Sequence, residues 1–291
     1  MKLINSPVTS FDINGKTIYI KHDELLHPDL SGNKARKLAH FIEHDLPHID
    51  TLVSYGGVQS NLMFSLSALA KLKKWQFIYH SYPPAKTALQ QTTGNLAQAL
   101  ANGMQLVTTQ QNLRQTVYNT YNQKNQLIIE QGGAQLEAEY GIIQLANEIR
   151  HWAHHNGFTE LAIFLPSGTG VSALYLQKNL PEFTVYTTNC VGTPEYLQQQ
   201  WQELAPTNHQ PTILPNLTYR FATPDYELWQ TSQLIKQLSS TEFDLVYDPV
   251  GWHILLNHLQ QISAPILYIH CGGLIGNLTM FNRYNYKYKI D

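Results

Sequence analysis

The sequence has little of what would indicate an extracellular or membrane protein. Only two of its 291 residues are cysteine, Cys190 and Cys271, which excludes a disulfide framework. No apolar run reaches the roughly 18 residues of a transmembrane helix. The N-terminal segment MKLINSPVTSFDING (1–15) lacks the apolar stretch of a signal peptide. These absences predict a reducing environment, and we expect a cytoplasmic location.

Charged side chains are scarce as well. They make up 14% of the chain, and 19 Lys and Arg residues nearly balance 21 Asp and Glu residues. The formal net charge of -2 argues against broad electrostatic binding to nucleic acid or to an anionic membrane. Hydrophobic residues reach 43%, which is enough for a sizeable core, and the length suggests two domains.

One histidine cluster could suggest a metal site. His151, His154 and His155 share one face of a predicted helix, as zinc-binding histidines often do. No cysteine or acidic residue stands close enough in the sequence to complete a zinc ligand set. We therefore predict no metal ion.

Strand patterns and helix patterns alternate along most of the chain. The runs TLVSY (51–55), LAIFLP (161–166) and ILYIH (266–270) each precede a glycine-rich turn and a helical pattern. This order predicts an α/β protein with parallel sheets and helices on both faces. Asn14-Gly15 predicts a hairpin turn, and RYNYKYKI (283–290) predicts a last strand or a tail.

The glycine-rich turns are candidates for ligand contact: YGGVQSN (55–61), LPSGTGV (165–171) and HCGGLIGN (270–277). Where parallel strands lead into helices, the helix N-termini point free N–H groups at an anion. SGTG is therefore a candidate phosphate loop, although such turns also build this fold without binding anything. No strand is followed by the GxGxxG spacing of a dinucleotide site.

Lys34 lies in the first turn of a helix that Ser31 and Asn33 are predicted to open. A cation near a helix N-terminus interacts unfavourably with the helix dipole, which lowers its pKa. A lowered pKa suits an amine that must be neutral to form a Schiff base. From spacing alone, a surface lysine beside Arg36 and Lys37 explains the residue equally simply.

Taken in order, these segments resemble the 1-aminocyclopropane-1-carboxylate deaminase and D-cysteine desulfhydrase family of fold type II pyridoxal 5'-phosphate (PLP) enzymes. KHDELLHPDLSGNKARKL (21–38) is similar to the segment that carries the family's cofactor lysine. YGGVQSN (55–61) is similar to its GG-x-QSN-H loop, and VYDPVG (246–251) and IHCGG (269–273) to its last two active-site segments. The resemblance covers essentially the whole chain.

The resemblance implies a fold and a division of the chain. The fold would be the α/β, tryptophan synthase beta-like fold, with two three-layer α/β/α domains and mainly parallel sheets. The large PLP-binding domain would comprise residues 1–49 and 155–291. The small domain would comprise residues 50–154, with the active site in the cleft between the two.

The resemblance also implies roles for particular residues. Lys34 would hold PLP as a Schiff base, and Asn61 would bind its phenolic oxygen. The phosphate would be bound by the turn and helix start formed by Ser167, Gly168, Thr169, Gly170 and Val171. Substrate contacts would come from Gln59, Ser60 and Gly251, with Ser60 also a proton carrier. Cys271 would face the pyridine nitrogen as a neutral partner.

Three positions depart from the family pattern. Leu62 stands where the family has histidine, and Gly251 and Trp252 stand where it has tyrosine and an acidic residue. A neutral thiol at the ring nitrogen makes a weaker electron sink, which favours rapid expulsion of a β-leaving group.

We therefore predict β-elimination from a small cysteine- or serine-like amino acid, giving a 2-oxo acid and ammonia. The alternatives are ring-opening 1-aminocyclopropane-1-carboxylate deamination and a PLP-binding relative with little turnover. A homodimer is expected.

Overall fold

The N-terminal hairpin forms one edge of the larger of two sheets in the computed structural model, which describes residues 1, 3–30 and 32–290. Strands β1 (Val8–Ile13) and β2 (Lys16–Lys21) are antiparallel and are joined at Asn14-Gly15. Both turn residues have positive φ, which confirms the predicted hairpin. Ser31, predicted to open the lysine-bearing helix, lies outside the described residues; the helix begins at Asn33.

The remaining strands in the described residues are short. They are β3 (Thr51–Tyr55), β4 (Gln76–Ser81), β5 (Met104–Thr108), β6 (Gln126–Ile129), β7 (Ala162–Ser167), β8 (Thr184–Asn189), β9 (Thr212–Ile213) and β10 (Ile266–Ile269).

Helices separate most of these strands. They are α1 (Asn33–Glu43), α2 (Asn61–Lys73), α3 (Lys86–Leu89), α4 (Gly94–Ala101), α5 (Leu113–Thr120), α6 (Ala138–His155), α7 (Val171–Asn179), α8 (Pro194–Leu204), α9 (Tyr226–Ser239), α10 (Asp248–His258) and α11 (Asn277–Tyr288). No helix among the described residues is long and apolar enough to span a bilayer.

The two sheets are mainly parallel. The larger has the order β1-β2-β10-β7-β8-β9, and the pairing of β1 with β2 is its antiparallel step. The smaller has the order β5-β4-β3-β6 and is parallel throughout. Every residue of β3 is buried, as expected for a strand covered on both faces.

Helices α1 and α6 cross over between the two halves of the molecule. α1 packs Leu38 and Phe41 into the core beneath the smaller sheet, although it precedes that sheet in sequence. α6 packs Ile142 and Ile149 into the core of the larger sheet, although it belongs to the segment predicted as the small domain. The proposed boundaries at residues 50 and 154 stay a prediction.

The C-terminal segment is not the strand or tail that RYNYKYKI (283–290) suggested. That prediction was wrong, because α11 continues to Tyr288. Met280 and Tyr284, four residues apart, are both buried, whereas Tyr286 is 84% exposed. Burial therefore follows the helical repeat, and the alternation of tyrosine and lysine in the sequence is incidental.

Candidate active site

Lys34 lies at the start of α1, where that helix meets the end of β10. The backbone N–H of Asn33 donates to the carbonyl of Cys271 over 3.1 Å. Gly32 has a φ of 44°, and a Cβ there would overlap the backbone of Cys271. Only glycine therefore allows α1 to begin against β10.

The Lys34 amine has no hydrogen-bond or ion-pair partner within the described residues. Burial lowers its pKa, against the opposing influence of Cys271, Asp244 and Asp248. The ring centroid of Tyr247 is 5.9 Å from the amine nitrogen. An amine in this state is suited to attack a carbonyl carbon.

Buried ion pairs fix the helix that carries Lys34. The Arg36 guanidinium binds Asp23 at 2.7 Å and Glu148 at 2.6 Å, and the Arg36 and Asp23 side chains are fully buried. Glu148 also pairs with Lys21 at 2.7 Å. These contacts tie α1 to α6 and to β2, so Lys34 stands on a rigid base.

The predicted phosphate loop lies at the N-terminus of α7. Gly168 and Thr169 are half-buried, and Gly170, at a φ of 70°, precedes the first helical residue, Val171. A Cβ at Gly170 would overlap Trp201, whose indole N–H donates to the Gly170 carbonyl over 3.1 Å. The first-turn N–H groups of α7 have no partner within the helix, which leaves a cradle suited to phosphate.

Ser167 is placed differently from the rest of that loop. It is the buried last residue of β7, and its hydroxyl lies 2.6 Å from the hydroxyl of Thr187. The Thr187 hydroxyl in turn donates to the Leu165 carbonyl. The Ser167 side chain thus joins two strands, and its predicted contact with phosphate stays a prediction.

Lys37 is a candidate that the sequence patterns did not single out. It lies one helical turn after Lys34, is 6% exposed, and donates to the carbonyl of Gly132. Gly132 packs against Thr169 of the phosphate loop. Burial, followed by repulsion from Lys34, lowers the pKa of Lys37 to about 7. The three-residue spacing from Lys34 was the available signal for a shared face.

The N-terminus of α2 carries the predicted substrate contacts. The Ser60 hydroxyl caps the helix by accepting from the Met63 N–H over 3.2 Å. Gln59 is exposed, with its amide nitrogen 3.4 Å from the side-chain oxygen of Gln91. A helix N-terminus that opens to solvent favours a carboxylate.

Asn61 is held in place by two neighbours. Its side-chain oxygen accepts from Asn95 over 2.8 Å, and its nitrogen donates to Asp244 over 3.4 Å. This fixes the amide beside Gly273, where a Cβ would lie 2.6 Å from the Asn61 nitrogen. The predicted contact of Asn61 with the cofactor's phenolic oxygen is not tested by these contacts.

Two buried carboxyl groups, Asp244 and Asp248, were also missed. Asp244 accepts from the N–H groups of Val246 and Tyr247 over 2.8 and 2.6 Å. Asp248 accepts from the Tyr268 hydroxyl over 2.6 Å and from the Asp244 N–H over 3.1 Å. Burial raises the pKa of both carboxyl groups. Sequence patterns did not reveal them because folding alone brings them to Lys34.

Cys271 follows β10 and is 6% exposed. Burial raises the pKa of its thiol, and Asp248 raises it further, so the group stays neutral. The sulfur lies 3.5 Å from the Ile269 carbonyl oxygen. Its predicted place beside a pyridine nitrogen stays a prediction.

The three departures from the family pattern all lie in packed surroundings. Leu62 is buried in the core of the smaller sheet. The Trp252 ring stacks on Tyr268 with a centroid distance of 3.9 Å. A Cβ at Gly251 would lie 2.8 Å from the Tyr268 hydroxyl, and the Gly251 N–H donates to the Tyr247 carbonyl. No contact in the structure supports the predicted substrate role of Gly251, which stays a prediction.

The fold and the site together define a class. Fold type II PLP enzymes have the same arrangement: two mainly parallel sheets, a lysine at the start of one helix and a glycine-rich turn at the start of another. No family model matches the chain. Solved structures do: the "ACC deaminase homologue" superposes with a TM-score of 0.80 at 18% identity, covering 98% of this chain and 95% of that one.

Particular relatives act on cysteine or release sulfide. A D-cysteine desulfhydrase of Yersinia pestis (strain Pestoides F) is 26% identical over 298 residues, which is 90% of this chain and 88% of the relative. A hydrogen sulfide-producing enzyme from Fusobacterium nucleatum superposes with a TM-score of 0.70 at 13% identity, covering 93% of this chain and 94% of that one.

These likenesses confirm the predicted resemblance and the predicted fold class. The proteins that the chain resembles include PLP-dependent lyases and deaminases, as predicted.

Proposed function

We propose that this protein is a PLP-dependent lyase that eliminates a β-substituent from a small amino acid, giving a 2-oxo acid and ammonia. The observation that carries the proposal is the unpartnered amine of Lys34 in a site that also contains the glycine cradle of Gly168, Thr169 and Gly170. The donor set fits PLP, because it offers one buried amine of lowered pKa for the aldehyde and helix N–H groups for the phosphate.

When bound, PLP supplies an electron sink for the negative charge that develops on the substrate's α-carbon. The protein supplies the rest. Lys34 would hold the cofactor and would also be the base that takes the α-proton. Lys37 stands beside the phosphate loop, where a cation neutralises phosphate charge. Asn61 would hold the cofactor's phenolic oxygen, and Cys271 would be the neutral partner of its ring nitrogen.

The substrate carboxylate binds at the N-terminus of α2. There the helix dipole, the Ser60 hydroxyl and the Gln59 amide favour a negative charge. This contact fixes the amino acid by the group that every amino acid carries. The substrate side chain would therefore be recognised on the other side of the site, by residues 243–252, and this contact would select among amino acids.

A second candidate function is the ring opening of 1-aminocyclopropane-1-carboxylate. The "ACC deaminase homologue" among the structural neighbours favours it. Against it, Gly251 and Trp252 are packed against Tyr268, and neither supplies the phenol or the carboxylate that the family pattern has at these positions. A PLP-binding relative with little turnover is the third candidate.

One experiment separates these candidates. The purified protein is loaded with PLP, its absorbance is recorded, and D- and L-cysteine, D- and L-serine and 1-aminocyclopropane-1-carboxylate are added one at a time. We expect 2-oxo acid from the cysteine- and serine-like substrates and little from the cyclopropane. A cofactor spectrum without any 2-oxo acid would contradict the lyase proposal, and so would turnover of the cyclopropane alone.

The proposal includes the surroundings of the site. The domains of residues 1–49 with 155–291 and of residues 50–154 form the walls of the cleft, and the protein is a homodimer in the cytoplasm. The two separate sheets support the division. Sedimentation equilibrium at several concentrations tests the dimer, and limited proteolysis near residues 50 and 154 tests the boundaries.

A further inference from the structure

The Tyr247 hydroxyl has no hydrogen-bond partner among the described residues. The residue is half-buried beside Lys34. The other tyrosines near the cleft are engaged: Tyr268 donates to Asp248, Tyr79 to the carbonyl of Gly57, and Tyr55 to Glu130. An unengaged phenol in such a place is available to a bound molecule.

The ring of Tyr247 is fixed in position. Its N–H donates to Asp244 over 2.6 Å, and its carbonyl accepts from the Gly251 N–H within α10. One face packs on Phe221 at a centroid distance of 5.2 Å, and a Cβ at Gly168 would lie 3.2 Å from the ring edge. The ring therefore lies close to both the phosphate loop and the Lys34 amine.

The phenol also keeps its proton. Burial raises its pKa, and the negative charge of Asp244 raises it further. A donor that stays protonated, lies beside Lys34 and Gly168 and has no acceptor among the described residues matches the need of a departing group that leaves with an electron pair.

Resting on the function proposed above, we propose that Tyr247 is a catalytic acid that protonates the leaving group of the β-substituted substrate. Lys34 takes the proton from the α-carbon. The bond between the β-carbon and its substituent breaks, and the electron pair goes to the substituent. The Tyr247 phenol gives its proton to the substituent, so that thiolate leaves as thiol or hydroxide as water. The proton that Lys34 took then passes through water to the Tyr247 phenolate, which restores both groups.

The decisive variant is Tyr247→Phe, which keeps the ring and removes the hydroxyl. Serine and cysteine need a proton on the leaving group, whereas chloride from β-chloroalanine does not. We expect Tyr247→Phe to slow kcat for serine by about 10²- to 10⁴-fold, the usual contribution of a general acid. Turnover of β-chloroalanine should stay within a few-fold of the parent. Equal losses on serine and β-chloroalanine, or no loss on either, would overturn the proposal.

A matched control and a second readout keep the test clear. Tyr140→Phe removes a phenol that donates to Glu43 at the far end of α1, and it should change neither substrate. The solvent deuterium isotope effect on kcat is the second readout, because it reports a proton that moves to the leaving group. In the parent it should be larger for serine than for β-chloroalanine, and equal effects on the two substrates would also overturn the assignment.

The outcomes separate this inference from the function on which it rests. If the parent protein releases no 2-oxo acid from serine, cysteine or β-chloroalanine, the lyase function itself fails. If the parent releases 2-oxo acid and Tyr247→Phe changes kcat for serine and β-chloroalanine equally, the lyase function is supported and the proposed role of Tyr247 is wrong.

Discussion

Two parts of the candidate active site owe their geometry to different kinds of contact. At the start of α1 and at the phosphate loop, the geometry depends on the backbone: Gly32 lies against the Cys271 carbonyl, and Gly170 lies under Trp201. In residues 243–252 it depends on side chains, because Asp244 and Asp248 accept the N–H groups that shape the turn. The backbone-built side therefore shows in the sequence as glycine-rich turns, whereas the contacts of Asp244 and Asp248 do not show in VYDPVG (246–251).

The largest expected effect tests the backbone-built side. Lys34→Ala should lower the turnover of any eliminated substrate by more than about 10³-fold, because it removes both the cofactor's anchor and the base. Borohydride reduction of the parent should place the pyridoxyl group on Lys34. Lys124→Ala, at an exposed position, is the control. A label on Lys37 in the parent would reverse the roles assigned to the two lysines.

The next effect tests whether the side-chain-built side has room for the tyrosine of the family pattern. Gly251→Tyr should destabilise the protein by about 1–3 kcal/mol or more, because the new side chain must displace Tyr268 and Pro166. Urea unfolding measures the loss. Gly57→Tyr, where a Cβ meets nothing within 4 Å, is the control. Unchanged stability in Gly251→Tyr would show that the turn can be repacked.

Lys37 should make the stability of the PLP-free protein depend on pH. The pKa of Lys37 is about 7 in the folded protein, whereas its ordinary value, which we assign to the unfolded chain, is 10.5. Between these values the unfolded chain binds more protons, so the free energy of unfolding rises with pH, by up to about 1.4 kcal/mol per pH unit. Below about pH 7 the full penalty of burying the charged amine applies.

Lys37→Met should therefore flatten the rise between pH 7 and 10, leaving only the part due to other groups such as Lys34. Urea unfolding at a series of pH values measures it, with Lys124→Met as the control. A parent whose stability falls over this range would contradict the lowered pKa of Lys37. With PLP bound, Lys37→Met should also weaken binding of the cofactor, because the phosphate loses a neighbouring cation.

The smallest expected effect concerns Cys271. Cys271→Ser replaces one neutral partner of the ring nitrogen by another, so turnover should change less than about tenfold. The absorbance of bound PLP should shift with this variant and not with Cys190→Ser, which alters a second buried thiol. A shift with both variants, or with neither, would contradict the predicted position of Cys271 beside the ring nitrogen.

Much of the backbone-built side could be predicted. The strand-turn-helix pattern placed Gly168, Thr169 and Gly170 at the start of α7, and the spacing around Lys34 placed it in the first turn of α1. The pattern could not reveal the surroundings of Lys37, because they form only when folding brings Gly132 against Thr169. In sequence Lys37 is one more charge beside Arg36.

The sequence by itself determined the fold class, the hairpin and the glycine turns, because these follow from local periodicity and from backbone conformations that few residues adopt. Only the tertiary structure decided that α1 packs under the smaller sheet and α6 beside the larger one. It alone brought Asp244, Asp248 and Tyr247 to Lys34, because burial, pKa and free hydroxyl groups are properties of contacts between segments far apart in the chain.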